Sequence, residues 1–328
     1  MFRLISALLV LCSAAWAAEI PPYDPLKIPD VKIRSITFEV KDAKRDRALP
    51  VRVYLPESTR PAPVLVFSHG LGGSRDNNPY LGEHWAKRGY VVVFVQHPGS
   101  DESVWKNVPK LQRMAAMKKA ASAENYIART KDIPVLLDAL TAWNREDGHP
   151  LKNRLDLENI GMSGHSFGAS TSQAVVGQSA LRGRISSLEP RLDAALMMSP
   201  SPPAVGDPAE AFSTIRIPCL LMTGTLDDSP IGNSTATDRL KVFPHLTHAA
   251  AWQVVFEGAN HMAFGDRELL GQPHKEPRYH RAILALSSAF WDAELKKDPA
   301  AKTWLNGKGA KSVLDAKDVW QMNPKAGN

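Results

Sequence analysis

Cysteine is almost missing: Cys12 and Cys219 are the whole complement of the 328 residues. Cys12 lies in an N-terminal apolar stretch. Once that stretch is removed as a leader, Cys219 stands alone, which excludes an intramolecular disulfide even in an oxidising compartment. Stability must come from the core. Cys219 itself opens the run Cys219-Leu220-Leu221-Met222, the setting of a buried inert thiol rather than a nucleophile. Membrane-length apolar runs are scarce too. Leu4 to Trp16 follows Met1-Phe2-Arg3 and leads into Ala15-Trp16-Ala17 before Ala18. It is short for a span but has the charged start, apolar middle and small-residue end of a secretory signal peptide. Leu11 stands before Cys12, where a lipoprotein signal requires a small residue. The expectation is a leader over residues 1–17, a secreted or periplasmic protein, and no stable membrane span.

Strong charge of one sign is also lacking. The formal net charge of +6 comes from lysines and arginines interleaved with acids, which gives no footing for a nucleic-acid partner. The glycine cluster Gly70-Leu71-Gly72-Gly73 lacks the Lys-Ser or Lys-Thr ending of a phosphate loop, and G-x-G-x-x-G does not occur, so nucleotide binding is disfavoured. The adjacent pair Asp227-Asp228 has no second cluster at metal-ligand spacing. No cofactor and no metal are expected, and no internal repeat is visible.

What is present is a long alternation of strand-like and helix-like segments. Strand readings fall at Ile33 to Val40, Val51 to Leu55, Val64 to Ser68, Tyr90 to Gln96, Ile160 to Met162, Ala194 to Met198, Cys219 to Thr223 and Ala251 to Phe256. The first two alternate like a half-exposed antiparallel hairpin; the later ones are continuous apolar runs of parallel strands covered on both faces. Helices are expected at Tyr80 to Lys87, Val108 to Ser122, Tyr126 to Trp143, Ser166 to Gly177 and Arg278 to Lys296. Alternation of this kind predicts an α/β fold of one domain, residues 18–328, with a mostly parallel eight-stranded sheet and helices on both faces. Residues 297–328 are mostly polar and read as a loosely attached tail.

Gly164-His165-Ser166-Phe167-Gly168 sits between the strand at Ile160 to Met162 and the small, helix-tolerant residues Ala169 to Val176. That context makes the G-x-S-x-G pattern a nucleophile elbow, with the serine hydroxyl exposed above the sheet. A serine nucleophile needs a base, an orienting acid and oxyanion donors, each beyond the carboxyl end of a strand. Of ten histidines, His261 follows the last apolar strand in the order Ser, Asp, His. His69 and His165 sit in glycine turns, and His97 follows an earlier strand. His84, His149, His245, His248, His274 and His280 read as surface positions. The acid is Asp227, three residues past Gly224, with Asp228 as its neighbouring competitor. Ser68-His69-Gly70-Leu71-Gly72-Gly73 follows the third strand, where a second oxyanion donor normally originates, and the backbone N–H groups of Leu71 and Phe167 are the candidates.

Taken together, Ser68-His69-Gly70-Leu71-Gly72, Gly164-His165-Ser166-Phe167-Gly168, Gly224-Thr225-Leu226-Asp227 and Gly258-Ala259-Asn260-His261 resemble the α/β-hydrolases grouped with dienelactone-hydrolase-like proteins and plasma-type platelet-activating-factor acetylhydrolases. The likeness runs from about Ile33 to Trp291. It implies a carboxylic-ester hydrolase with a Ser-His-Asp triad, acting on a small or lipid-like ester. Dienelactone hydrolases proper carry a cysteine where this chain has Ser166. The competing reading is a catalytically silent hydrolase scaffold that binds lipid or an anionic surface through the basic residues near Lys106 to Lys119.

Overall fold

The computed structural model describes residues 22–181, 183–266, 277–323 and 325. The expected leader at 1–17 and His274 lie outside them. The strands are β1 Arg34–Asp42, β2 Arg47–Leu55, β3 Ala62–Ser68, β4 Val91–Val95, β5 Leu155–His165, the two-residue pair β6 Ser179–Ala180 and β7 Ile185–Ser186, then β8 Ala194–Met198, β9 Cys219–Leu226, β10 Ala251–Asn260 and β11 Val319–Met322. The helices are α1 Pro79–Lys87, α2 Ser103–Lys106, α3 Arg113–Ala120, α4 Ala123–Trp143, α5 Phe167–Val175, α6 Pro208–Phe212, α7 Ala236–Arg239, α8 Pro277–Glu294, α9 Pro299–Asn306 and α10 Lys308–Lys311.

One large sheet has the order β1-β2-β4-β3-β5-β8-β9-β10-β11. The pairs from β4 through β10 are parallel, and antiparallel pairs close both ends. Successive side chains of a strand point to opposite faces, and the core divides accordingly. Val64 and Val66 pack with Ile133, Leu136 and Leu140 of α4 and Val175 of α5. Leu65 and Phe67 join Leu81 and Trp85 of α1 and Ile283, Leu286 and Phe290 of α8. Each face of the sheet therefore carries its own helices, and the strand ends between them are left to form a site.

All eight expected strands are present, and a ninth corrects the count. β11 pairs antiparallel with β10, with Val319 opposite Val255 and Met322 opposite Trp252. Of the segment expected to hang loosely at 297–328, residues 297–323 are instead docked. Ala301 and Leu305 of α9 are fully buried, and Asn306 Oδ1 accepts from Trp252 Nε1 at 2.9 Å. Four residues in a polar context give too short a pattern to mark a strand, but the backbone of β10 offers a free edge to any of them. The helix expected from Val108 to Ser122 is also broken. A 3₁₀ turn at Lys110–Gln112 precedes α3, and α4 begins anew after Ser122, whose hydroxyl accepts the Asn125 N–H at 3.1 Å.

His84 corrects another expectation, because it is buried against Ser288 Oγ at 3.0 Å rather than exposed. Burial and nearby Arg88 push its imidazole down to about 4. Burial and Arg129 do the same for His97, to about 4, and burial with the charges of His261 and Arg239 takes His165 to about 3. All three imidazoles are neutral when folded but charge below about 6.5 when unfolded. The unfolded chain then binds more protons, so stability falls as pH drops from 6.5 towards 4, with a limiting slope of about 4 kcal/mol per pH unit for three protons. Denaturant midpoints measured at pH 6.5, 5.5 and 4.5 should decline steeply. A midpoint that stays level across that window would contradict the burial of these rings.

Candidate active site

Ser166 sits at the junction of β5 and α5 with φ +58° and ψ −117°, a backbone state rarely adopted by residues other than glycine and one that stores strain. The turn is tight enough that a Cβ on Gly168 would overlap the Ser68 carbonyl, and one on Gly164 would overlap the Gly168 carbonyl. Glycine at both places is thus a steric requirement. The Ser166 N–H donates to Met198 O at 2.9 Å, tying the elbow to the end of β8.

At the far side of the sheet, a Cβ on Gly224 would collide with Ala259 O, so the ends of β9 and β10 converge only because residue 224 has no side chain. That approach brings the next loops together. Asp227 is fully buried and its Oδ1 lies 2.7 Å from His261 Nδ1. His261 Nε2 lies 2.8 Å from Ser166 Oγ. Asp227 Oδ2 accepts from Thr223 Oγ1 at 2.8 Å. Asp228 points elsewhere, its Oδ1 accepting the Ala236 N–H at 2.8 Å in an exposed loop. Of the two adjacent acids, Asp227 meets the histidine.

The loop after β3 lies against the serine: a Cβ on Gly70 would be 3.5 Å from Ser166 Cβ. The N–H groups of Leu71 and Phe167 have no acceptor among the described residues, which leaves both donors available for a developing oxyanion. Gly72 N–H is engaged with Ser100 O at 2.8 Å. The excursion that follows β4 packs onto this loop, with Trp105 Nε1 donating to Gly72 O at 2.8 Å. The five residues singled out by sequence are therefore brought to one end of the sheet.

Several groups at the site escaped the sequence reading. Arg239 is almost fully buried and holds the Asp227 loop from the side: its Nε donates to the Asp227 carbonyl at 2.7 Å and lies 3.0 Å from Oδ1. Its Nη1 reaches Ser199 O at 2.8 Å and Pro200 O at 3.1 Å. Burial alone would raise the Asp227 carboxyl, but the hydrogen bond from His261 and the charges of His261 and Arg239 outweigh it and hold the group below the usual carboxylate range. His165 packs its ring 4.8 Å from that of His261 and its Nε2 lies 3.1 Å from the His261 carbonyl. Cys219 is buried and free, its thiol pushed up to about 12 by burial, so it is inert as a nucleophile. No cluster of metal-ligating side chains occurs among the described residues, and no helix among them is long and apolar enough to cross a membrane.

A mostly parallel sheet in this strand order, with a serine at a strained turn between β5 and its helix, defines an α/β-hydrolase fold. Residues 52–132 match the family model of platelet-activating factor acetylhydrolase, isoform II, and no curated protein matches the chain. The matched stretch contains the loop from Ser68 to Gly73 and ends ahead of the serine. It supports hydrolysis of a lipid or other ester as the class of chemistry.

Proposed function

We propose that the protein is a serine hydrolase of carboxylic esters that works through an acyl-enzyme. The observation that carries this reading is the continuous hydrogen-bonded line from Ser166 Oγ through His261 to Asp227, at 2.8 Å and 2.7 Å. His261 Nε2 takes the Ser166 proton as Oγ attacks the ester carbonyl carbon. The carbonyl oxygen becomes an oxyanion held by the Leu71 and Phe167 amides. Collapse expels the alcohol, which leaves with the proton from His261, and Ser166 keeps the acyl group. Water, deprotonated by His261, then releases the acid and restores the serine. Asp227 holds the imidazole with its proton on Nδ1 and stabilises the imidazolium that forms at each half-reaction.

The apolar leader pattern at residues 1–17 places this activity outside the cytoplasm in the same proposal. A fluorophosphonate probe tests the chemistry. One equivalent is expected to attach to the peptide carrying Ser166, and the same mass map of secreted protein should begin at Ala18. An unreactive Ser166 in folded protein would remove the enzymatic reading and leave a binding scaffold.

A further inference from the structure

Helix α4 buries Ile133, Leu136, Leu137 and Leu140 along one stripe, and the next position of that stripe towards the N-terminus is Arg129, whose side chain is also wholly buried. Taking a guanidinium out of water costs several kcal/mol unless it is well compensated. Here no carboxylate pairs with it directly among the described residues. The nearest acid on its own helix, Asp132, is occupied by Arg45, Arg47 and His97. Burial pushes the Arg129 guanidinium down to about 9, so it remains a cation at neutral pH.

Its donors go instead to neutral oxygens of three separate segments. Nη2 donates to Ser68 Oγ at 2.9 Å and to the His69 carbonyl. Nη1 donates to Ser100 Oγ at 3.0 Å, and Nε to Thr171 Oγ1 at 2.9 Å. The guanidinium carbon lies 4.8 Å from the centre of the Phe167 ring. These segments are the two halves of the oxyanion hole and the loop that backs one of them. Ser100 O accepts the Gly72 N–H at 2.8 Å, and the Thr171 hydroxyl donates to Phe167 O at 3.0 Å.

The carboxylate of Asp132 can only accept, and with the donors of Arg129 this fixes the protons behind Leu71. The His97 ring proton is on Nδ1, facing Asp132 Oδ2 at 2.8 Å. His97 Nε2 is then an acceptor, and Ser68 Oγ, which accepts from Arg129, donates to it at 3.0 Å. The His97 backbone N–H donates to His69 Nε2 at 3.0 Å, which leaves the His69 proton on Nδ1 to donate to Gly70 O at 2.7 Å. One buried cation thereby orders both the strand end that leads into the Leu71 turn and the first turn of the helix that presents Phe167.

We propose that Arg129 is the positioning residue of the oxyanion hole, setting the spacing of the Leu71 and Phe167 amides from behind without touching substrate. The proposal rests on ester hydrolysis at Ser166. A cation with no directly paired carboxylate, placed behind the two donors, also favours charge that develops in front of them. It therefore acts on the transition state more than on the neutral bound ester.

Two variants of similar volume test this. Arg129→Lys keeps a positive charge but not the planar fork that reaches three segments. Thr171→Val removes the Nε acceptor and, with the same hydroxyl, the donor to Phe167 O. With p-nitrophenyl acetate, Arg129→Lys is expected to lower kcat roughly 30- to 100-fold with KM within about 3-fold. The rate of fluorophosphonate inactivation should fall in parallel, while labelling of Ser166 still goes to completion. Thr171→Val should shift kcat in the same sense by roughly 5-fold. A folded Arg129→Lys protein with kcat within about 3-fold of wild type, or with its loss confined to KM, overturns the proposal. So does loss of cooperative melting in both variants, because the arginine would then serve stability alone. A wild type that neither turns over nor takes the probe overturns the hydrolase reading and this proposal with it, whereas a reactive wild type beside an indifferent Arg129→Lys overturns this proposal alone.

Discussion

Ser166→Ala is expected to lower kcat on p-nitrophenyl acetate by about 10⁵-fold or more, with KM little changed and no probe incorporated. The size follows from what the hydroxyl does. It is the group 2.8 Å from His261 Nε2, and without it the imidazole can only assist a water that has no fixed place at the elbow. The Leu71 and Phe167 amides would still bind a developing oxyanion, which accounts for a residual rate above that in water. Stability should scarcely move, because alanine keeps the Cβ and with it the strain of φ +58°. Ser166→Gly separates the two properties: equally inactive, yet more stable by about 1 kcal/mol, since glycine adopts positive φ at little cost. Alanine activity within tenfold of wild type would show that the reaction runs through another nucleophile.

The parts of this architecture that were readable from sequence are those with a pattern of their own. Strands β3, β4, β8 and β9 are continuous apolar runs because both faces are covered, and the glycines at or just past the ends of β5 and β9, Gly164, Gly168 and Gly224, mark where backbones approach closely. β11 is the opposite case. Its existence depends on the free edge of β10, a fact about the sheet and not about the residues Val319 to Met322. The spacing from Gly224 favoured Asp227 but could not exclude Asp228, for a related reason: adjacent residues point in different directions, and only the convergence of β9 and β10 at Gly224 determines which one faces the histidine. Arg129 did leave a trace. It falls on the buried stripe of α4, four residues before Ile133 and seven before Leu136, so a cation on an apolar face was there to be read. Arg239, on a four-residue helix with no such stripe, left none. His84 misled in the same way, because a single polar side chain on α1 gives no sign that Ser288 waits across the interface.

Replacing each acid separately by asparagine is expected to give opposite outcomes: Asp227→Asn should cost about 10⁴-fold in kcat, whereas Asp228→Asn should stay within about 2-fold of wild type. The imidazole must carry its proton on Nδ1 to leave Nε2 free for Ser166, and the carboxylate 2.7 Å from Nδ1 enforces that tautomer by being unable to donate. An amide in its place can turn its NH₂ towards Nδ1, which reverses the tautomer and removes the charge that stabilises the imidazolium. Thr223 Oγ1 donates to Oδ2, the carboxylate oxygen turned away from the histidine, so it favours the amide rotamer with oxygen towards Thr223 and nitrogen towards His261, deepening the defect. The same change leaves the buried Arg239 without its charge partner, a loss of about 3 kcal/mol in folding stability. Asp228, exposed and accepting one backbone N–H from Ala236, can be replaced by asparagine with that bond intact, so neither rate nor stability should change appreciably. Equal losses from both substitutions, or a larger one from Asp228→Asn, would mean that the loop after β9 rearranges in the working enzyme and that the line from Ser166 to Asp227 is not the one that moves the proton.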